Sequence, residues 1–128
     1  MARVVFDASA AIALLRDEAG AEVIAEYAGD ALISTVNLQE VIKALLVRGF
    51  TIDVARVMID ALHLEIRPHT ADDAYAAAEL YEATKEHGRG LGDRTCMALA
   101  IAECLPALTT DQAWAKLTVP GLTVTMAR

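Results

Sequence analysis

Asp7, Glu40, Asp93 and Asp111 are the acidic residues whose surroundings raise a chemical question. Asp7 ends the β-branched run ARVVF and precedes the apolar stretch AAIALL, so its charge must be capping, paired or functional. Glu40 lies among Leu38, Val41 and Ile42, which makes a simple solvated role harder to sustain. Asp93 opens the alanine-rich segment LGDRTCMALA behind a glycine loop, and Asp111 follows the strand-like ALTT. Taken singly, Asp93 and Asp111 also read as helix caps that accept the first free amides of a helix. Taken together, oxygen donors with no thiolate or imidazole among them suit a hard divalent cation such as Mg²⁺ or Mn²⁺.

The elements that must position these acids alternate along the chain. Strands are expected at residues 2 to 6, 31 to 34, 63 to 68, 107 to 110 and 122 to 126. Between them the sequence predicts a helix from Ser9 to Leu15 with Ser9 as its cap, then helices over 21–28, over 38–48 capped by Asn37, and over Thr51 to Leu62. A long helix is expected from Thr70 to about His87, with Tyr75, Ala78 and Tyr81 in register. After the loop GRGLG a helix runs from Asp93 to Cys104, and Asp111 begins a short turn, DQAWAKL. Crossovers of this kind mean an α/β fold with a mostly parallel sheet covered on both faces. Sites in such sheets form at the carboxyl ends of the strands near the switch in strand order, and all four acids map to that rim.

Composition bounds the rest. A chain of 128 residues, 55% hydrophobic, reads most economically as one domain over 1–128 with a core that needs no disulfide staple. No apolar run approaches the roughly 20 residues that span a bilayer, and the N-terminus MARVVFD lacks the pattern of a secretion signal, so a cytosolic place and no membrane partner are expected. Cys96 and Cys104 stand eight positions apart in one expected helix, roughly 12 Å along its axis, too far to bridge; both read as packing thiols. His63, His69 and His87 fall away from the acidic rim and read as surface residues. A formal charge of −7 speaks against polyphosphate binding, except that two divalent ions would bring the bound form to about −3 and place positive charge where a phosphate docks. The broad apolar faces of AAIALL, VIKALLV and VARVMIDAL point to an interface with another chain.

Four segments, in order and spread along the chain, carry a family pattern: VVFDASA with Asp7 and Ser9, ISTVNLQEV with Glu40, LGDRTCMALA with Asp93, and LTTDQAW with Asp111. The sequence closely resembles PIN-domain ribonucleases of the VapC toxin type, with no departure in the acidic set. That resemblance implies a three-layer α/β/α fold around a parallel sheet of about five strands in the order 3-2-1-4-5. It implies an Mg²⁺- or Mn²⁺-dependent endoribonuclease, a VapB-type antitoxin that blocks the site, a homodimer, and contact with DNA only through the antitoxin. By the match of motifs Asp7, Glu40, Asp93 and Asp111 form the acidic metal site. Ser9 and Thr110 become hydroxyls that orient Asp7 and Asp111. Asn37 and Arg94 are weaker candidates for supporting the acids, with a plain helix cap as the other reading of the first and a structural pair with an acid as the other reading of the second. Two rival readings stand beside the resemblance. A phosphoacceptor signalling domain lacks its aspartate after the third strand, where Arg67-Pro68 stands, and its lysine after the last, where Ala127-Arg128 stands. A catalytically silent PIN scaffold that binds RNA or a protein is the remaining alternative.

Overall fold

In the computed structural model, which describes residues 1–128, the short apolar runs become five parallel strands: β1 (Val4–Phe6), β2 (Ala31–Ser34), β3 (Glu65–Arg67), β4 (Ala107–Thr109) and β5 (Val124–Met126). Their order is β3-β2-β1-β4-β5, the order that the resemblance implies. Side chains alternate across such strands, and here both sides are dry. Val4 and Phe6 of β1, Ile33 of β2 and Leu108 of β4 enter one apolar cluster, while Val5, Leu32 and Ala107 enter the other. The first cluster is completed by α1 (Ala8–Arg16), α2 (Ala21–Ala25), α3 (Thr35–Val47) and α4 (Ile52–Asp60). Cys96, Met97 and Ala100 of α7 (Leu91–Glu103), with Trp114, complete the second. Three layers follow directly: helices, sheet, helices.

The caps are displaced from the expected residues. Asp7, not Ser9, caps α1; Ser34, not Asn37, caps α3; and α7 starts at Leu91, which moves Asp93 into its first turn. In each case the helix begins two or three residues earlier than the sequence predicts, so the residue expected at the cap lies inside the first turn. The long helix expected from Thr70 to His87 is broken into α5 (Ala71–Ala78) and α6 (Tyr81–Thr84). Its Thr70–Asp73 capping box forms as the pattern suggests, but Tyr75 and Tyr81 point outward and the buried contact is made by Ala77. An alanine-rich segment with so little to bury has nothing to hold one continuous axis. Cys96 is buried, whereas Cys104 is exposed in a left-handed C-terminal cap of α7 and does not pack. His63 is exposed, and His69 and His87 are half-buried. Of the expected apolar faces, AAIALL is consumed by the core through Ala10, Ala11 and Ala13, but Leu46, Val47, Ile52, Val54 and Val57 of α3 and α4 remain exposed.

One glycine has no substitute. Gly20 precedes α2 at φ +97°, and a Cβ built there would stand 2.7 Å from the Ala127 carbonyl oxygen. Gly20→Ala is expected to lower stability by about 2 kcal/mol, read as a lower urea midpoint at unchanged slope.

Candidate acidic site at the strand-order switch

The chain runs from β1 to β2 and β3 on one side, then returns to β4 on the other, so the crevice between β1 and β4 is the topological switch point. Asp7 and Asp111 emerge from these two neighbouring strands. Asp7 is buried, and both its oxygens are engaged. Oδ1 accepts the Ala10 amide at 2.9 Å and the Ser9 hydroxyl at 2.7 Å; Oδ2 accepts the Thr109 hydroxyl at 2.6 Å. Burial raises its pKa from 3.8 to about 6 against the pull of those hydrogen bonds, and the negative charge of Asp93 adds to the rise.

Thr109, rather than Thr110, is the residue that ties the two strand ends together. Its Oγ1 donates to Asp7 and accepts the Asp111 amide at 3.0 Å. Thr110 contributes its backbone, which donates to Ser9 Oγ at 3.0 Å. The expected role for the Thr110 hydroxyl therefore passes to its neighbour, because alternation turns Thr109 toward the β1 end. Asp111 is exposed, caps the 3-10 turn Gln112–Lys116, and uses Oδ1 to accept the Ala113 amide at 3.0 Å.

The other two acids come from helix starts. Asp93 is half-buried in the first turn of α7, where its Oδ2 accepts the Gly90 amide at 3.3 Å. Burial holds its carboxyl above the usual range, and the charge of Asp111 acts in the same sense. The buried indole nitrogen of Trp114 lies in its field without closing a hydrogen bond of ordinary geometry. Glu40 is exposed on α3, and its Oε2 accepts from Asn37 Nδ2 at 3.0 Å. The same nitrogen donates to the Gly92 carbonyl at 2.9 Å, so buried Asn37 joins α3 to α7 and fixes Glu40 against the turn that carries Asp93. These two acceptors set the orientation of the amide and leave Asn37 Oδ1 buried without a partner. Arg94 takes no acid as a partner: its Nε donates to Thr84 Oγ1 at 2.9 Å, toward α6.

The four expected acids thus share one rim. Asp93 is coupled to Asp7 on one side and to Asp111 on the other, and the buried Cys96 thiol, pushed up chiefly by burial, also feels Asp7, Asp93 and Glu40. They do not form the closed cage that a bound ion requires: no three of them are grouped closely enough to hold a metal as they stand. Like charges approach further only when a cation neutralises them. Glu40, Asp93 and Asp111 each keep one carboxylate oxygen without a hydrogen bond from the protein, and the donors are hard oxygens throughout. That chemistry fits a hard divalent ion.

Sequence reasoning misses Thr109 and holds Asn37 only as a weaker candidate, with a helix cap as its other role. Period-two alternation from the buried Leu108 would have separated Thr109 from Thr110, but nothing in the sequence places Asn37 against Gly92. Gly92 itself is a further constraint, since a Cβ there would stand 2.1 Å from Glu40 Oε1. Gly92→Ala is expected to fold, because the far end of a side chain can move aside, yet to swing Glu40 off the rim and reduce cleavage roughly 10- to 100-fold in a single-turnover assay.

Layer architecture and strand order define the class, a three-layer α/β/α protein, and the chain belongs to the PIN domain family, whose model matches residues 4–119. Members of this family are in general nucleases. Among solved structures the chain is similar to a toxin-antitoxin complex from Klebsiella pneumoniae, with a TM-score of 0.75, 20% identity and 98% of each chain covered. It is similar to DNA-bound VapBC from Salmonella typhimurium, with a TM-score of 0.76, 16% identity and 100% of each chain covered. It also resembles VapBC-5 from Mycobacterium tuberculosis, with a TM-score of 0.63, 24% identity, and 98% of this chain and 99% of that one covered. Among curated proteins none matches the chain.

Proposed function

We propose that the protein is an Mg²⁺- or Mn²⁺-dependent endoribonuclease, the toxin of a toxin-antitoxin pair, that hydrolyses RNA phosphodiester bonds at the acidic rim. What supports this reading is that Asp7 and Asp111 leave the carboxyl ends of the neighbouring strands β1 and β4, while α7 and α3 bring Asp93 and Glu40 up beside them from distant segments. Asp7, Asp93 and Asp111 would hold the principal ion, with Glu40 holding a second or positioning water. Bound there, a divalent ion makes water more acidic and neutralises charge on the phosphate oxygens. The chain's own residues supply the geometry. Ser9, Thr109 and the Ala10 amide lock the Asp7 carboxylate; the Thr109 hydroxyl fixes the start of the Asp111 turn; Asn37 holds Glu40 to the Asp93 turn.

The exposed apolar strip of Leu46, Val47, Ile52, Val54 and Val57 supports a protein partner. A VapB-type antitoxin is the reading that the similar complexes favour, with DNA contacted through it, and a homodimer of the toxin is part of the same proposal. No helix is long and apolar enough to cross a membrane, and cytosolic RNA is the substrate proposed.

The test is cleavage of total RNA by purified protein with Mg²⁺ or Mn²⁺, with and without EDTA, and mapping of the new ends. Metal-dependent internal cleavage is expected. Intact RNA with both ions, at protein concentrations that bind it, would leave the silent scaffold as the reading.

A further inference from the structure

Beside the acids, the first turn of α7 forms one wall of a second feature. A cavity of about 270 Å³ opens between α5, α6 and α7, with His69, Tyr81, Leu91 and Arg94 around a floor of alanines. Tyr81 is 55% exposed and Leu91 82% exposed, large apolar surfaces that the fold leaves uncovered next to Gly92 and Asp93. Arg94 is half-buried and pinned: Nε is held by the buried Thr84 hydroxyl at 2.9 Å, and Cζ lies 5.8 Å from the centre of the Tyr81 ring. Unlike Arg3, Arg16, Arg67 and Lys85, it has no carboxylate within 4.0 Å. A half-buried guanidinium held through one nitrogen, with no carboxylate in contact and Asp93 felt only through space, keeps its other N–H donors for an anion from outside.

We propose that this cavity is a nucleobase subsite, in which a base of single-stranded RNA stacks on Tyr81 while Arg94 meets the strand's phosphate. The proposal rests on the nuclease reading for the identity of the strand. Three observations favour RNA over an acidic peptide. The ring and guanidinium offer the flat faces on which unpaired bases stack. Arg94 stands one helical step from Asp93 and its charge is felt by the Asp93 carboxyl, which puts the cavity and the acidic rim on neighbouring faces of α7, within the span of one strand. Besides Tyr81 and Arg94 the lining offers only His69 and Thr95 as polar side chains, and the Thr95 hydroxyl already donates to the Leu91 carbonyl at 2.8 Å, too little to read a peptide backbone.

The test measures binding, in an Asp93→Asn background without divalent ions, of a fluorescent single-stranded oligoribonucleotide and of its abasic counterpart with the same backbone. The base-bearing strand is expected to bind about 10-fold more tightly. Tyr81→Ala should erase that preference and Tyr81→Phe should keep it; Arg94→Ala should weaken both strands. In the cleaving protein Tyr81→Ala should raise KM and leave kcat and thermal midpoint near the parent's. Equal binding of the two strands, or an undiminished preference in Tyr81→Ala, overturns the subsite, as does loss of antitoxin binding alone in these variants. If the parent cleaves no RNA but Tyr81 still governs base-dependent binding, the nuclease reading fails and the subsite stands.

Discussion

Asp93→Asn is expected to fold as the parent does and to cleave RNA about 100- to 1000-fold more slowly. The amide can still accept the Gly90 N–H through its oxygen, so the first turn of α7 keeps its local hydrogen bond. Loss of a negative charge near a helix N-terminus costs only about 0.3 to 1 kcal/mol. Relief of repulsion with Asp7 and Asp111, the two acids coupled to Asp93, offsets part of that cost. What disappears is a charged oxygen where positive charge must be held, and electrostatic contributions of about 3 to 4 kcal/mol to a transition state are typical of such groups. Single-turnover cleavage at saturating Mn²⁺, with circular dichroism as the folding control, measures it. Asp72→Asn, an exposed acid in the first turn of α5, should cleave at the parent's rate. A rate for Asp93→Asn within a few-fold of the parent's would remove Asp93 from the site.

The parts of the molecule that could be read from sequence are those where local pattern and tertiary environment agree. Continuous apolar runs such as VVF and ALIS are what a strand buried on both faces demands, and the order 3-2-1-4-5 is observed as the resemblance implies. The placing of Asp7 and Asp111 follows from strand ends, and that of Glu40 and Asp93 from the opening turns of the helices α3 and α7. The partners that hold them do not. Asn37 earns its place only when α7 arrives, 55 residues later, to present the Gly92 carbonyl. The Ser9–Asp7–Thr109 network depends on β1 lying beside β4, a pairing that spans about a hundred residues. Arg94 was readable as an acid's partner because it follows Asp93; helical geometry sends the two side chains in different directions. The break after α5 is likewise tertiary, since alanine favours continuation and only the lack of a surface to bury interrupts it.

Asp7→Asn should make the protein more stable at neutral pH while abolishing cleavage, the opposite of what a structural cap predicts. Asp7 carries a pKa of about 6 in the fold against 3.8 in the open chain. Well below pH 3.8 both states are protonated and the folded protein suffers no penalty from this group. As the pH rises from 3.8 towards 6 the unfolded chain releases the proton first, so stability falls, and above that interval the penalty is constant at about 3 kcal/mol. Asparagine remains neutral throughout. It keeps an oxygen for the Ala10 and Ser9 donors, and the Thr109 hydroxyl, 3.2 Å from Ser9 Oγ, can turn to accept the new amide. The variant should therefore exceed the parent by up to about 3 kcal/mol at pH 7 and match it well below pH 3.8, in urea titrations without divalent ions. Asp93, whose carboxyl is also raised, and the Cys96 thiol both interact with the Asp7 charge and remain in both proteins, so the difference isolates Asp7. On the proposed function, Mn²⁺ at about a hundred times its dissociation constant should stabilise the parent by about 2.7 kcal/mol and the variant far less, closing the gap from the other side. A variant less stable than the parent at pH 7 would mean that Asp7 is kept for its cap. In that case the buried charge would not mark a site at which stability has been given up for catalysis.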